Sequence, residues 1–207
     1  MQEGVIQYRL DFSAQALPAE IDLAALDACR SRLFSLGLIG QDNLRYAGLG
    51  YGNVSQRVAL AGNRDAFIIT GSQTGHLPVL SRDGYALVTA CEPMNNYLRA
   101  EGMIKPSSEA MTHAVVYQYL PEIQAVIHVH WPELWQNAPD QGIPVTARNI
   151  PYGTPQMATA VQAILAAGKP GAGALAMLGH EDGILFWSRT LAETEARIKQ
   201  YIRTDSV

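Results

Sequence analysis

Apolar residues recur at helical spacing in four stretches of the chain, and polar or glycine-rich turns separate them. Several stretches carry start or stop signals: two glycines follow the first, Pro106 precedes the second, and the third begins at a threonine followed by proline and ends before Gly168. Either Ser107 or Ser108 can act as the N-cap of the second. The pattern predicts helices over Pro18 to Leu38, Ser107 to Leu120, Thr154 to Gly168, and Thr190 or Leu191 to about Ile202.

Short apolar or alternating runs lie between these helices and predict strands. Because several strands are adjacent in sequence, the pattern favours an α/β fold with a mostly antiparallel sheet and helices on its faces. The length fits one domain, and no repeat or linker interrupts it, so we expect a single domain over residues 1–207. The predicted strands are GNVSQRVAL, AFIIT, YALVTAC, AVIHVH, ALAML and ILFW.

The content of charged residues bears on which kinds of binding partner are expected. Only 16% of residues are charged, against about 25% in typical soluble domains, which suggests a surface hidden in a homo-oligomer. The net charge of -4 and the scattered basic residues argue against a nucleic-acid partner.

The cysteine count and the N-terminal sequence bear on location. Two distant cysteines, Cys29 and Cys91, make no disulfide framework, which favours a cytoplasmic protein. The polar start MQEGVIQYRLDF is not a signal peptide, and no run of about 18 apolar residues predicts a membrane partner.

The pair His128 and His130 carries the strongest chemical signal. Side chains two residues apart on a strand leave the same face of the sheet, and the neighbours Val126, Ile127 and Val129 are apolar. Burial disfavours protonation of both imidazoles, and a shared metal ion keeps both neutral. The alternative is a pair of hydrogen-bonded core or edge histidines.

A third histidine, His180, lies in the turn LGHEDGI between two predicted strands, where a strand end can aim it at the same pocket. Three histidine ligands leave one coordination position open, which is typical of a catalytic metal site. The adjacent Glu181 and Asp182 are candidates for further ligands or for residues that orient them. The alternative for His180 is a turn residue bonded to its own loop.

Glu109 stands near the predicted start of the second helix, where the helix dipole favours a carboxylate. His113 follows four residues later, so both are expected on one helix face. The alternatives are an ordinary helix-start glutamate and a core histidine.

Three glycine- or serine-rich loops are candidates for anion binding, because backbone amides at turns and helix starts cradle phosphate or carboxylate groups. Each loop alone is also compatible with a simple turn. The loops contain Gly52 and Asn53, Thr74 and Gly75, and Ser107 and Ser108.

Taken in order, the segments GNVSQR, ITGSQTG, KPSSEAMTH, VIHVHWP, PYGTPQMA and GHEDGI resemble the class II aldolase/adducin family. The resemblance runs from about Leu23 to the last helix. It implies a three-layer α/β/α domain around a central, mostly antiparallel sheet, and a homotetramer with sites between subunits.

The resemblance also implies roles. His128, His130 and His180 match ligands of Zn²⁺ or another divalent metal, and Glu109 matches the acid/base residue. Positions that hold a substrate phosphate match Gly52, Asn53, Thr74, Gly75, Ser107 and Ser108.

The implied function is a zinc-dependent aldolase-type lyase of carbohydrate metabolism. It would cleave or form a carbon–carbon bond in a small hydroxy-carbonyl substrate, phosphorylated or free, through a metal-stabilised enediolate. Two alternatives stay open: an epimerase or dehydratase of sugar phosphates with the same metal site, and a non-catalytic adducin-like binding module.

Overall fold

The structure, a computed structural model, describes residues 6–60, 62–168 and 171–204. Its strands are β1 (Arg9–Ala14), β2 (Gly40–Gln41), β3 (Gly50–Tyr51), β4 (Asn53–Arg57), β5 (Phe67–Thr70), β6 (Tyr85–Glu92), β7 (Tyr97–Gly102), β8 (Ala125–His130), β9 (Gly173–Ala176) and β10 (Gly183–Ser188). Its helices are α1 (Ala24–Ser35), α2 (Ala110–Tyr119), α3 (Pro132–Gln136), α4 (Pro155–Ala167) and α5 (Leu191–Thr204). Within the described ranges, none of these helices has the length and apolar character needed to cross a bilayer.

Eight strands form one sheet in the order β1-β7-β6-β5-β4-β8-β10-β9, and β2 pairs with β3 separately. Neighbours in the large sheet are antiparallel except β1 and β7, which run parallel. The predicted α/β fold with a mostly antiparallel sheet is therefore confirmed.

Helices cover both faces of this sheet and create two apolar cores. Leu26 of α1 and Ile198 of α5 pack in one core, while Met111 of α2 and Met157 of α4 pack in the other. The central strand β8 is buried along its whole length. It contributes side chains to both cores, because its alternate side chains point to opposite faces. The three-layer arrangement follows from this alternation.

Two helices begin later than the sequence pattern predicts, and local hydrogen bonds explain both differences. The Asp22 side chain accepts the Ala24 N–H at 2.9 Å, so the residues from Pro18 onward form a turn before α1. The Ser107 side chain likewise accepts the Glu109 N–H at 3.3 Å, which holds 107–109 in a turn before α2.

Strands β1 and β7 and the short helix α3 have no counterpart among the sequence predictions. β1 lies at the sheet edge, and its residues RLDFSA alternate between polar and apolar, with Leu10 and Phe12 packed against the core beneath α2 and α4. This alternation was a usable strand signal that the sequence prediction missed. The last helix begins at Leu191, as expected, and continues to Thr204.

Candidate metal centre

His128 and His130 leave β8 on the face covered by α2 and α4. The intervening Val129 points into the opposite core, as the two-residue period of a strand requires. In the β-ladder, His128 pairs with Asn53 of β4, and His130 pairs with Gly183 of β10. Both imidazoles are buried, so the sheet fixes their spacing on a single side.

His180 reaches the pair from the turn between β9 and β10. Its ring centroid lies 4.8 Å from that of His128 and 4.9 Å from that of His130. One nitrogen from each of the three rings can be chosen so that all lie within 4.8 Å of one another. We call these three residues the histidine triad.

A glycine makes this approach possible. A Cβ at Gly179 would lie 1.7 Å from the carbonyl oxygen of Ile150, so no larger residue fits beside that backbone. The turn itself closes through hydrogen bonds from the His180 N–H to the Met177 carbonyl at 2.9 Å and from the Gly183 N–H to the His180 carbonyl at 3.0 Å.

The nitrogen atoms of His128 show that the triad suits a metal ion. Nδ1 lies 3.2 Å from the Ile184 carbonyl; since a carbonyl only accepts, Nδ1 carries the hydrogen and Nε2 keeps its lone pair. Nε2 is buried and has no hydrogen-bond partner in the described part of the chain. Such an imidazole, oriented by a carbonyl behind it, is the usual donor to zinc and similar divalent ions.

The protonation state also suits metal binding. Burial is the main cause that holds the pKa of His128 and of His130 well below the ordinary value, and the charge of His180 adds to it. Arg45 contributes to the same lowering of the pKa at His130. Both rings are therefore neutral near pH 7, with lone pairs available to a cation.

Glu109 lies beside the triad, in the turn that precedes α2. Its buried Oε1 is 3.7 Å from Nδ1 of His180, and its Oε2 accepts a hydrogen bond from the Thr112 hydroxyl at 2.9 Å. The hydroxyl of Tyr8, the residue before β1, donates to the Ser107 carbonyl at 2.8 Å and so supports this turn. One carboxylate oxygen is thus fixed by Thr112 while the other faces the histidines.

His113 does not share this position. Its Nδ1 is 2.7 Å from the Ser55 hydroxyl, which also contacts the Tyr117 hydroxyl at 2.8 Å. Burial lowers the pKa of His113 to about 3. It is the core histidine that the sequence left as an alternative, because Glu109 belongs to the turn and α2 begins only at Ala110.

The three glycine- and serine-rich loops come together around one small cavity. The Asn53 side chain donates to the Ser107 hydroxyl at 2.9 Å and links two of the loops. Asn53 is also the ladder partner of His128, and Ser107 lies in the turn of Glu109, so the cavity adjoins the triad. We call it the anion cavity; its lining residues are Gly50, Gly52, Asn53, Gly71, Ser72, Gln73, Thr74, Gly75, Ser107 and Ser108.

The loop at Thr74 and Gly75 is packed tightly from behind. A Cβ at Gly75 would lie 2.1 Å from the Gly40 carbonyl oxygen and 2.7 Å from Cα of Gly50. The buried guanidinium of Arg30 donates to the Thr74 carbonyl at 2.9 Å. Arg30 therefore places a positive charge behind the loop.

The rings of three tyrosines contact the triad, and the sequence pattern predicted no role for them. Tyr152 stacks on His180 at 4.4 Å between centroids, while Tyr46 meets His130 edge-on at 4.5 Å and Tyr51 lies 5.2 Å from His130. Tyr152 stands in the segment PYGTPQMA, so that motif was a usable signal; no periodicity marks Tyr46 or Tyr51.

Asp182 and Glu181, named as possible ligands or orienting residues, differ in burial, and neither belongs to the triad. Glu181 is exposed, and Asp182 is buried but lies outside the triad. The Asp182 carboxylate instead accepts hydrogen bonds from the side chains of Arg45 and Tyr46.

Comparison with known proteins gives matches of three kinds. A family model described as "Class II Aldolase and Adducin N-terminal domain" matches residues 41–204. A protein of Mycoplasma pneumoniae named "Probable L-ribulose-5-phosphate 4-epimerase UlaF" is 35% identical over 80 residues, which make up 39% of this chain and 30% of that protein.

Two solved structures share the fold. YgbL, "a putative aldolase/epimerase/decarboxylase from Klebsiella pneumoniae", superposes with a TM-score of 0.61 at 19% identity over 86% of this chain and 83% of that chain. An L-fuculose 1-phosphate aldolase superposes with a TM-score of 0.57 at 18% identity over 91% of this chain and 90% of that chain.

Proposed function

Since the chain belongs to the class II aldolase/adducin family, we propose that it is a metal-dependent lyase of the aldolase type. Its substrate would be a small hydroxy-carbonyl compound of the sugar-phosphate class. One observation carries this proposal: a triad with two neutral, buried imidazoles lies 3.7 Å from a buried carboxylate and beside an anion cavity. The proposal includes a homotetramer, which rests on the low content of charged residues and the family resemblance. It also includes a cytoplasmic location, which rests on two distant cysteines that make no disulfide framework.

The metal would be held by His128, His130 and His180, with zinc as the first candidate among divalent ions. Three imidazoles leave a coordination position open to substrate oxygens. A divalent ion bound there acts as a Lewis acid, which polarises a carbonyl and stabilises the negative charge that develops when the neighbouring carbon–carbon bond breaks.

Glu109 would move the proton in this reaction. Its Oε2 is held by Thr112, so Oε1 is the atom that faces the reacting centre and takes or returns the proton. The fixed orientation matters because a general acid or base must lie within hydrogen-bonding reach of the proton it transfers.

The anion cavity would hold the far end of the substrate. Backbone N–H groups of the glycine-rich loops and the hydroxyls of Ser107 and Ser108 are suited to a phosphate group. Binding energy from that end orients the reactive carbon over the triad and Glu109.

The second candidate is a sugar-phosphate epimerase, and the identity to the Mycoplasma protein supports it. Both reactions need the same charge stabilisation and proton transfer, so they use the same residues. Their products differ, because a lyase releases an aldehyde fragment and an epimerase returns an isomer of unchanged mass.

The metal centre is tested by removing its ligands. Purified protein should contain about one divalent ion per chain, as expected for a three-histidine catalytic site, measured by plasma mass spectrometry. His128→Ala and His130→Ala should each lose the ion, whereas His76→Ala, at an exposed position outside the triad, should keep it. Full occupancy in both triad variants would refute the site.

The reaction is tested with the metal-loaded protein on phosphorylated and free ketoses. Aldehyde release detected by a coupled dehydrogenase supports the lyase, and an isomer without aldehyde supports the epimerase. Absence of both products across the panel, with metal bound, would contradict catalysis and favour the binding module.

A further inference from the structure

Three non-glycine residues with left-handed backbone conformation lie on one side of the triad. Tyr46 has φ 51°, Ala47 has φ 57° and Asp182 has φ 62°. Residues other than glycine rarely adopt this conformation, and where they do, the surrounding contacts must hold them in it. The contacts that hold Tyr46 and Asp182 are with each other.

The Asp182 carboxylate is the centre of these contacts. Its Oδ2 accepts a hydrogen bond from the Tyr46 hydroxyl at 2.6 Å and an ion-paired hydrogen bond from the Arg45 guanidinium. The Asp182 side chain is 5% exposed, whereas that of Arg45 is 40% exposed. The pair thus runs from the interior to the surface.

The backbone of Asp182 is fixed to the strand that carries two of the ligands. Its carbonyl accepts the N–H of Trp131, the residue after His130, at 2.8 Å. The position of the Asp182 carboxylate is therefore fixed relative to β8. Through Arg45 and Tyr46, this carboxylate holds residues 45–51 in place.

Segment 45–51 covers one side of His130. The ring of Tyr46 lies 4.5 Å from the His130 ring, and the ring of Tyr51 lies 5.2 Å from it. The two tyrosine rings also pack against each other at 5.1 Å. Whatever holds Tyr46 in place therefore also restricts the rotation of His130 and the access of water to it.

We propose that Asp182, with Arg45 and Tyr46, forms a latch that keeps segment 45–51 closed over His130 and thereby slows metal release from the triad. Asp182 is a positioning residue in this arrangement and touches neither metal nor substrate. The inference rests on the metal centre of the proposed function.

The chain supplies a matched control for the latch. Asp11 accepts hydrogen bonds from Arg99 at 2.8 Å and from Tyr97 at 3.2 Å, the same pair of residue types. That cluster lies at the β1–β7 edge with Asp11 52% and Arg99 58% exposed. Asp11→Asn therefore removes the same kind of contact far from the triad.

The test follows loss of Co²⁺ or Zn²⁺ from the loaded protein to a chelating dye. Asp182→Asn and Tyr46→Phe should release the ion about 10- to 100-fold faster than the wild type, because residues that orient ligands typically contribute that factor to metal affinity. Asp11→Asn should release it at the wild-type rate. Tyr46→Phe keeps the ring on His130, so it serves even if Asp182→Asn does not fold.

A second readout needs no metal. Trypsin cleaves after Arg45, and opening of the latch exposes that bond, so Asp182→Asn should yield fragments 1–45 and 46–207 faster than Asp11→Asn does. A role in turn stability alone would lower the unfolding temperature and speed cleavage, but it would leave the rate of metal release unchanged.

The outcomes separate this inference from the proposed function. If the wild type binds no divalent ion, both the proposed metal centre and the proposed latch are refuted. If the wild type binds the ion and both latch variants release it at the wild-type rate, only the latch is overturned.

Discussion

The candidate metal centre is built from histidines whose burial controls their charge. His128 and His130 lie in the interior, where their protonated forms are costly, and the low pKa of each keeps a lone pair available. Glu109, 3.7 Å from His180, is the carboxylate to which the proposed function assigns proton transfer.

Replacing Glu109 with glutamine is expected to separate metal binding from proton transfer. Glu109→Gln keeps the shape of the side chain, so metal content should equal that of the wild type, while turnover falls about 100-fold or more, as expected for loss of a general acid or base. Metal analysis together with product formation measures both quantities.

Thr112→Val is the companion variant, because it removes the hydroxyl that holds Oε2 and leaves the carboxylate. It should reduce turnover less than Glu109→Gln. Turnover in Glu109→Gln equal to the wild type would take this residue out of the mechanism.

At this scale strand periodicity predicted that His128 and His130 meet, and the family resemblance added His180 and Glu109. Residues two apart on β8 must share a face, so the placement of His128 beside His130 followed from spacing alone. The contacts of Tyr46 and Asp182 were not predictable, because they join two loops whose paths no periodic pattern specifies.

The elements around the site act through close backbone packing. Loops from β3, β4 and β5 meet at the anion cavity, and Gly75 allows the Thr74 loop to lie against Gly40 and Gly50. The loops therefore hold their N–H groups in a fixed arrangement before any anion binds.

Gly75→Ala is expected to damage the anion cavity specifically. The added Cβ would meet backbone atoms, which cannot rotate away, so the loop must shift. Affinity for inorganic phosphate, measured by titration calorimetry, should fall about tenfold or more, corresponding to at least about 1.4 kcal/mol.

Gly142→Ala is the control, since Gly142 has φ +70° but no atom within 4 Å of the added Cβ. It should lower stability by about 1 kcal/mol and leave phosphate affinity unchanged. Equal loss of phosphate affinity in both variants would show that general destabilisation, and not the cavity, is responsible.

Element boundaries were the weaker part of the sequence prediction. Asp22 and Ser107 bond to nearby backbone N–H groups and so delay the starts of α1 and α2, which apolar periodicity does not reveal. The edge strand β1 was missed although its residues alternate between polar and apolar, because the run is short and its apolar side chains, Leu10, Phe12 and Ala14, are only half-buried or exposed.

Across the whole molecule, the sheet separates two apolar cores, and a polar cluster is buried on the α2 side. His113, Ser55 and Tyr117 make mutual contacts there. The pKa of about 3 at His113 reflects its burial and links the stability of the entire fold to pH.

The sign of this link follows from the two pKa values. Unfolded histidine titrates near 6.5 and folded His113 near 3, so the unfolded state binds more protons between these values. Stability from this residue is complete above about pH 6.5 and declines as the pH falls towards 3, by up to about 1.4 kcal/mol per pH unit.

Urea unfolding of the metal-free protein at pH 7, 6 and 5 measures this dependence. His113→Gln lacks the titrating group. The slope of its unfolding free energy against pH should therefore correspond to the uptake of about one proton fewer on unfolding than in the wild type. Identical slopes for the two proteins would contradict the assignment.

The sequence predicted the layered architecture because the motifs occur in a specific order along nearly the whole chain. It did not predict the strand order, in which β1 joins β7 and β4 joins β8. Those neighbours are set by packing between segments far apart in the chain, and local patterns carry no information about them.

The hydrogen bond from Tyr8 to Ser107 spans 99 residues of chain and supports the turn that carries Glu109. Tyr8 directly precedes β1, so the pairing of β1 with β7 holds the tyrosine where its hydroxyl reaches Ser107. A change that releases this edge strand would therefore also loosen the turn of Glu109, although the strand itself contributes no residue to the candidate site.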